Sequence, residues 1–371
     1  MTRPILARID LAALRHNYSV ARRYAGSARV WAVLKADAYG HGLLRAARAL
    51  ADSADGFALI EIEGAIALRQ AGLRQPILLL EGFYAADEIP LIVEYSLTTV
   101  IHSLHQLDLL IRSAPAKDGR VPVYLKLNTG MNRLGLNANE LDHAIHALNA
   151  AAHVGAITLM THFSDADCDR DGRGISQQMG RLATMRSELT HPVSLANSAA
   201  LLRYPESLGS DVDWARAGIM LYGSSPFPEL RSAAEFDLRP VMTLTSELIS
   251  VRDLAPGDRI GYGGTFVAVA PMKVGVVACG YADGYPRHAP TGTPVLVEGR
   301  RCPTLGRVSM DKICVDLTAI PGAGIGSPVV LWGRDPPADE VAAAADTISY
   351  ELFCALAARV PVVEIEEPIH G

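Results

Sequence analysis

The chain has 371 residues, enough for one large barrel plus a second domain. Its apolar fraction of 49% and charged fraction of 20% suit a water-soluble globular protein. A net charge of −6 without a basic block makes nucleic acid and anionic membrane poor partners, and no apolar run of about 18 residues predicts a membrane span.

The first ten residues hold no long apolar stretch, so no secretion signal is expected. The first clear apolar run covers 30–34. It is short, partly β-branched and followed by Lys35, and it reads as a buried strand ending in a glycine-rich loop. Burial lowers the pKa of a lysine. Such a lysine can form a Schiff base with an aldehyde cofactor or act as a base. A surface lysine just past a strand end is the competing reading.

Further candidate strands lie at 57–60, 77–80, 98–101, 123–127, 158–161, 193–196 and 214–216. Helical patterns fall between them, at 43–51, 63–71, 140–150 and 176–189. Eight βα units before about residue 236 predict an α/β fold with an N-terminal (β/α)8 barrel. An open doubly wound sheet has the same alternation. Near Phe236 the texture changes. The segment 241–251 alternates like a half-exposed strand, and short apolar runs follow at 274–278, 295–297, 313–317, 329–332 and 362–365. With one helical piece at 338–345, this predicts a mostly β C-terminal domain. The division is placed at 1–236 and 237–371, with the first few residues free to pack with the second domain. Five widely spaced cysteines, without a close pair, predict reduced thiols and a cytoplasmic protein. No metal centre is expected.

In such a barrel, catalytic groups sit at the C-terminal ends of strands. Lys35, Arg133, His162, Asn197, Ser198 and Arg216 all fall there. Singly, His162 reads equally as a bonded core histidine, Ser198 as a helix cap and Arg216 as a structural ion pair. Together they describe a site for a planar, anionic, phosphorylated cofactor. Ser198 would open a helix, whose free amides favour phosphate. Gly218 allows close backbone approach, and Tyr39 offers a hydroxyl. In the second domain, Tyr262, Tyr281, Met310 and Asp311 lie in glycine-rich polar loops.

The segment Lys35-Ala36-Asp37-Ala38-Tyr39-Gly40-His41-Gly42 resembles the pyridoxal-phosphate (PLP) lysine motif of alanine racemases. The resemblance continues in family order. It runs through Thr129-Gly-Met-Asn-Arg133, His162-Phe, Asn197-Ser198-Ala-Ala, Arg216-x-Gly-Ile, Gly-Tyr262-Gly-Gly-Thr, Gly-Tyr281-Ala-Asp-Gly-Tyr-Pro-Arg, Arg307-Val-Ser-Met310-Asp311 and Tyr350-Glu. Within the family, the chain is similar to the bacterial catabolic type.

The resemblance implies a PLP-containing head-to-tail homodimer that interconverts L-alanine and D-alanine, serving peptidoglycan synthesis or D-alanine catabolism. It implies that Lys35 carries the cofactor. Tyr39, Ser198, Tyr350 and the Gly218-Ile219 backbone would hold phosphate. His162 and Asn197 would line the cofactor, Arg216 would face the pyridine nitrogen, and Arg133 would face the phenolic oxygen and the substrate. Tyr262 would reach in from the other subunit, joined by Tyr281, Met310 and Asp311 as substrate contacts. Lys126 matches a position where a carbamylated lysine orients Arg133. The chain departs from the family pattern at Asp37, Ala217 and Phe266. Asp37 is expected to raise the pKa of Lys35.

Racemisation needs proton removal from one face of Cα and delivery to the other, so two bases are the simpler solution. Lys35 fits one face and Tyr262 of the partner fits the other. Tyrosine is a weak base, and the expected help comes from His162 and then Arg216. A broad-specificity racemase is one alternative. A basic-amino-acid decarboxylase is another, although Arg216 opposite the ring nitrogen speaks against it. A non-catalytic PLP carrier is a third, disfavoured by the second domain.

Overall fold

A computed structural model of the chain describes residues 3–113, 119–168, 172–186, 189–209 and 212–366. The first strand is β1 (Leu6–Asp10). Eight more follow in the first part of the chain: β2 (Arg29–Val33), β3 (Gly56–Leu59), β4 (Ile77–Leu79), β5 (Thr98–Ile101), β6 (Val121–Lys126), β7 (Val154–Met160), β8 (Val193–Ser194) and β9 (Trp214–Ala217). Strands β2 to β9 form one parallel sheet in the order β8-β7-β6-β5-β4-β3-β2-β9. Their cores are apolar on both faces, as a parallel sheet covered by helices requires.

Closure separates this sheet from the open alternative. Val193 bridges Val212 in parallel, Asp213 N donates to Val193 O at 3.0 Å, and Arg216 N donates to Ala196 O at 2.9 Å. The ends of the sheet are therefore bonded to each other, and the first part of the chain is a (β/α)8 barrel. The expected helices are found as Leu43–Ala49, Ile62–Gln70, Ala138–Ala150 and Ser176–Arg186. Residues 187 and 188 of the fourth expected helix lie outside the described residues.

The sequence reading contained neither β1 nor the helix Leu11–Ala25 that follows it. That helix is capped by Asp10, whose side chain accepts from Ala13 N at 2.8 Å. Its buried face carries Leu11, Leu14, Tyr18, Ala21 and Ala25, at helical spacing. Asn17 on the same face is fully buried and binds the backbone of Leu221 and Arg239, which fastens the helix to the chain leaving the barrel.

The second sheet contains β10 (Met242–Leu254), β13 (Met272–Val277), β14 (Pro294–Val297), β15 (Arg300–Leu305), β16 (Ile313–Asp316), β17 (Pro328–Trp332) and β18 (Val362–Ile365), and β1 joins it. The small ribbon of β11 (Arg259–Ile260) and β12 (Phe266–Val267) stands apart. The long β10 serves two neighbourhoods. Its first half pairs with β1 and β17, and its second half with β13. The ring β10-β13-β16-β15-β14-β17 is thereby closed, with β1 and β18 continuing from its edge. The helices Ala338–Ala344 and Ser349–Cys354 return the chain to the barrel rim. Gly40 makes that contact possible, because a Cβ there would lie 2.1 Å from Phe353 O.

Candidate active site

Lys35 lies two residues past the end of β2 and is only partly exposed. Burial is the main force lowering its pKa, and nearby Arg133 lowers it further. The groups acting upward on it are Glu81, Cys354 and Glu61. Asp37 is not among these upward influences, contrary to the expectation from the sequence; its carboxylate accepts from Leu43 N at 2.6 Å.

The residues after Lys35 do not form the expected glycine-rich loop. Ala36, Asp37, Ala38 and Tyr39 are all left-handed, with φ of 52–54° and ψ of 43–52°. Each non-glycine residue in this region costs about 1–2 kcal/mol, so the turn must be held by its surroundings. Ala38 N donates to Leu34 O, Gly42 N to Asp37 O and His41 N to Ala38 O. The turn aims the Tyr39 side chain at the start of the segment after β9.

There, three polar groups converge. Gly218 N donates to Ser198 Oγ at 2.8 Å. A Cβ on Gly218 would lie 2.7 Å from Tyr39 Oη and 3.8 Å from Ser198 Oγ. Glycine thus leaves a recess between two hydroxyls. The Tyr350 ring centroid lies 5.9 Å from that of Tyr39. Burial raises the pKa of both tyrosines well above its usual value, so both stay protonated and able to donate. Asn197, rather than Ser198, caps the helix Ser198–Arg203, its Oδ1 accepting from Ala200 N at 2.9 Å. The Ser198 hydroxyl accepts from Gly218 and keeps its own proton for a ligand.

Arg216, on β9, is buried at 4% exposure. Its Nη1 donates to Ser194 O and Ser194 Oγ, and its Nη2 to Thr161 O and Leu195 O, at 2.7–2.9 Å. Nη2 also lies 3.5 Å from His162 Nδ1. Every one of these partners is neutral. Burial lowers the Arg216 pKa to about 10, which leaves it a cation at neutral pH. Burial first, and then Arg216, pushes His162 well below its usual value, so it is neutral. Lys126, at the end of β6, is lowered to about 8 by burial, then by Arg216 and Arg133. Lys126, Arg133, Thr129, Thr161 and His162 line one small recess. Arg133 itself is exposed. The rim is therefore cationic and rich in donors, suited to an anion.

Tyr262, Tyr281 and Met310 are 73%, 38% and 53% exposed. Their loops adjoin one another. Tyr281 N donates to Ser309 O and Ala282 N to Met310 O, while Gly263 lies against the Arg307 side chain. Asp311 accepts from Arg359 Nη2 at 2.6 Å, and the same guanidinium donates to the fully buried Asp283. These loops form an outward-facing group on the second domain.

Two family models match in succession. The alanine racemase N-terminal domain covers residues 9–226 and the alanine racemase C-terminal domain covers 241–364. The alanine racemase of Nitrosomonas eutropha is 55% identical over 367 residues, covering 98% of this chain and 100% of its own. The chain belongs to the alanine racemase family. A catabolic alanine racemase of Klebsiella aerogenes is 50% identical, with 98% and 100% of the two chains covered. The crystal structure of a biosynthetic alanine racemase from Pseudomonas aeruginosa superposes with a TM-score of 0.93 at 44% identity, covering 98% of this chain and all of that one.

Within this alanine racemase fold, the barrel brings Lys35, Tyr39, Arg133, His162, Ser198, Arg216 and Gly218 to one rim. One residue at that rim escaped the sequence reading. Gln178, on the helix Ser176–Arg186, is 4% exposed. Its Nε2 donates to Thr129 Oγ1 and His162 O at 3.0 Å, and its Oε1 accepts from Ser164 N at 2.8 Å. It joins the loop that carries Arg133 to the loop that carries His162. The signal available in sequence was a glutamine at a buried position of an amphipathic helix, which is too weak to single out alone.

Proposed function

We propose that the chain is a PLP-dependent racemase that interconverts L-alanine and D-alanine. The observation that carries this reading is Lys35 at the end of β2, its charge disfavoured by burial, beside the recess at Tyr39, Ser198 and Gly218. The residues fit a planar phosphorylated group. Tyr39, Ser198 and Tyr350 supply neutral donors, and the backbone at Gly218 and Ile219 comes close because no Cβ intervenes. When bound, PLP supplies an electron-withdrawing ring that acidifies the Cα–H of an attached amino acid.

The remaining steps belong to side chains. Lys35 Nζ would hold the cofactor until the amine of the substrate takes its place, and the freed lysine would then exchange a proton at one face of Cα. Tyr262 Oη of a second copy exchanges a proton at the other face. His162 and Arg216 support that tyrosine, and Arg133, Tyr281, Met310 and Asp311 orient the substrate. Arg216 has only neutral partners, so its charge disfavours a second positive charge on the ring nitrogen and keeps the reaction to proton transfer. Lys126, with its charge disfavoured, is suited to carbamylation by CO2, and the carbamate would pair with Arg133. Residues 1–236 act as the cofactor-binding unit, and residues 237–371 complete the site of a partner in a homodimer. The described cysteines are all unpaired, and no described helix is long and apolar enough to cross a membrane. A cytoplasmic enzyme supplying or consuming D-alanine fits these features.

The test is the purified protein in heavy water with alanine, serine, lysine or arginine. Loss of optical rotation with deuterium entering Cα of alanine is expected. Bound cofactor without exchange at alanine Cα would reject the proposal.

A further inference from the structure

His41 lies just beyond the left-handed turn and is completely buried. Its Nδ1 is 3.1 Å from Ala38 O and 2.8 Å from Tyr39 O. Carbonyls only accept, so Nδ1 carries the proton and serves both. The other ring nitrogen, Nε2, has no hydrogen-bond partner among the described residues. A buried acceptor without a partner is unfavourable. An apolar side chain of similar size would avoid that loss, so shape alone does not account for a histidine here. What the imidazole adds is one donor placed between two carbonyls of a strained turn.

The ring also belongs to a stack. It lies 4.6 Å from the Tyr222 ring and 5.1 Å from the Phe353 ring. Tyr222 in turn stacks on Tyr39 at 4.7 Å, with 28° between the planes, and its hydroxyl donates to Val33 O at 2.9 Å. The backbone carbonyl and the ring of Tyr39 are thus both held by groups in contact with His41. The Tyr39 hydroxyl ends in the recess beside Ser198 Oγ and Gly218.

We propose that His41 is a positioning residue for phosphate recognition: its Nδ1–H pins the Ala38 and Tyr39 carbonyls, and so sets Tyr39 Oη beside Ser198 Oγ and Gly218. The proposal rests on the reading that this recess takes the phosphate of PLP. Labour within the turn is thereby divided. Lys35 holds the aldehyde end of the cofactor, while His41 never touches the cofactor and acts only through Tyr39.

The experiment compares two ligands on the full-length protein freed of cofactor. Dissociation constants are measured for pyridoxal phosphate and for pyridoxal, which lacks the phosphate. His41→Leu removes the donor and keeps the volume. His41→Asn keeps an amide donor near the Nδ1 position. Tyr39→Phe removes the hydroxyl itself. His41→Leu should weaken pyridoxal phosphate roughly tenfold while changing pyridoxal less than about twofold. His41→Asn should recover to within about threefold of the native affinity. His41→Leu should add less than about threefold to Tyr39→Phe, because both act through one hydroxyl. If His41→Leu does not fold, His41→Gln takes its place, since its amide reaches the Nε2 end, leaves the Tyr39 carbonyl without the side-chain donor and leaves the Ala38 carbonyl only the backbone N–H of residue 41.

Equal weakening of both ligands would make His41 a general scaffold residue and overturn the proposal. So would unchanged affinity for pyridoxal phosphate, or losses that multiply with Tyr39→Phe. If Tyr39→Phe itself leaves the ratio of the two affinities unchanged, the recess is not the phosphate site, and the reading beneath the proposal falls with it.

Discussion

Arg216 Nη2 lies 3.5 Å from His162 Nδ1, and only the arginine can donate across that contact. The proton of the neutral His162 therefore belongs on Nε2, the nitrogen turned away from Arg216. The same guanidinium is buried among carbonyl and hydroxyl oxygens, all of them neutral. One residue thus sets both a tautomer and the electrostatic sign of the rim.

Arg216→Glu should not be a quiet change. It would turn an acceptor toward Ser194 O, Leu195 O and Thr161 O, which now accept from the guanidinium. We expect a loss of at least about 3 kcal/mol in folding stability. Arg216→Lys keeps the charge but cannot reach all four oxygens, and it should lose about 1–3 kcal/mol. Chemical denaturation monitored by circular dichroism measures both. A Glu variant as stable as the parent would show that these bonds do not support the rim.

Lys126 sets a pH dependence whose sign can be stated. Its pKa falls from 10.5 in the unfolded chain to about 8 in the fold. The folded state thus disfavours the charged lysine. The penalty is fully present below about pH 8, is relieved as pH rises from about 8 to 10.5, and is absent above. Lys126→Met should therefore gain stability over the parent at pH 7, and the gain should shrink towards pH 10. Bicarbonate should raise the melting temperature of the parent at pH 8 and leave Lys126→Met unchanged, because only the parent can form a carbamate. A bicarbonate effect of equal size in both proteins would count against carbamylation.

Gln178→Leu should separate catalysis from cofactor binding. The substitution unties the Arg133 loop from the His162 loop and leaves Ser164 N without its partner. The recess proposed for phosphate is built elsewhere, from residues 39, 198 and 218. We expect kcat to fall at least about tenfold, with cofactor affinity within about twofold of native. Parallel loss of both would mean that the glutamine supports the whole barrel rim and not those two loops.

The proposed sharing of sites between subunits predicts complementation. Lys35→Ala and Tyr262→Phe should each lose activity by about a hundredfold or more as single variants. When the two are mixed after reversible dissociation, about half of the dimers are hybrids, and each hybrid contains one site with neither lesion. Roughly a quarter of native activity should return. Exchange of subunits without recovery would place both bases in one chain.

The sequence by itself determined the number and order of the barrel strands, the lysine at the end of β2 and the cluster of polar residues at strand ends. These signals are local. An apolar run of four to six residues is buried wherever the sheet goes, and a polar residue at its end must sit at the rim. The strand β15 was harder to read, because Arg300, Arg301 and Pro303 interrupt its apolar pattern and its pairing with β14 and β16 compensates for them. The count of eight units favours a barrel over an open sheet, but closure itself was beyond local reading. The same βα alternation serves both, and the decision lies in the bonds that join β8 to β9. The left-handed turn after Lys35 is tertiary in the strictest sense. Four non-glycine residues have no intrinsic preference for it. It persists because the imidazole of His41, the backbone near Phe353 and the ring of Tyr222 surround it, and those groups come from three separate parts of the chain.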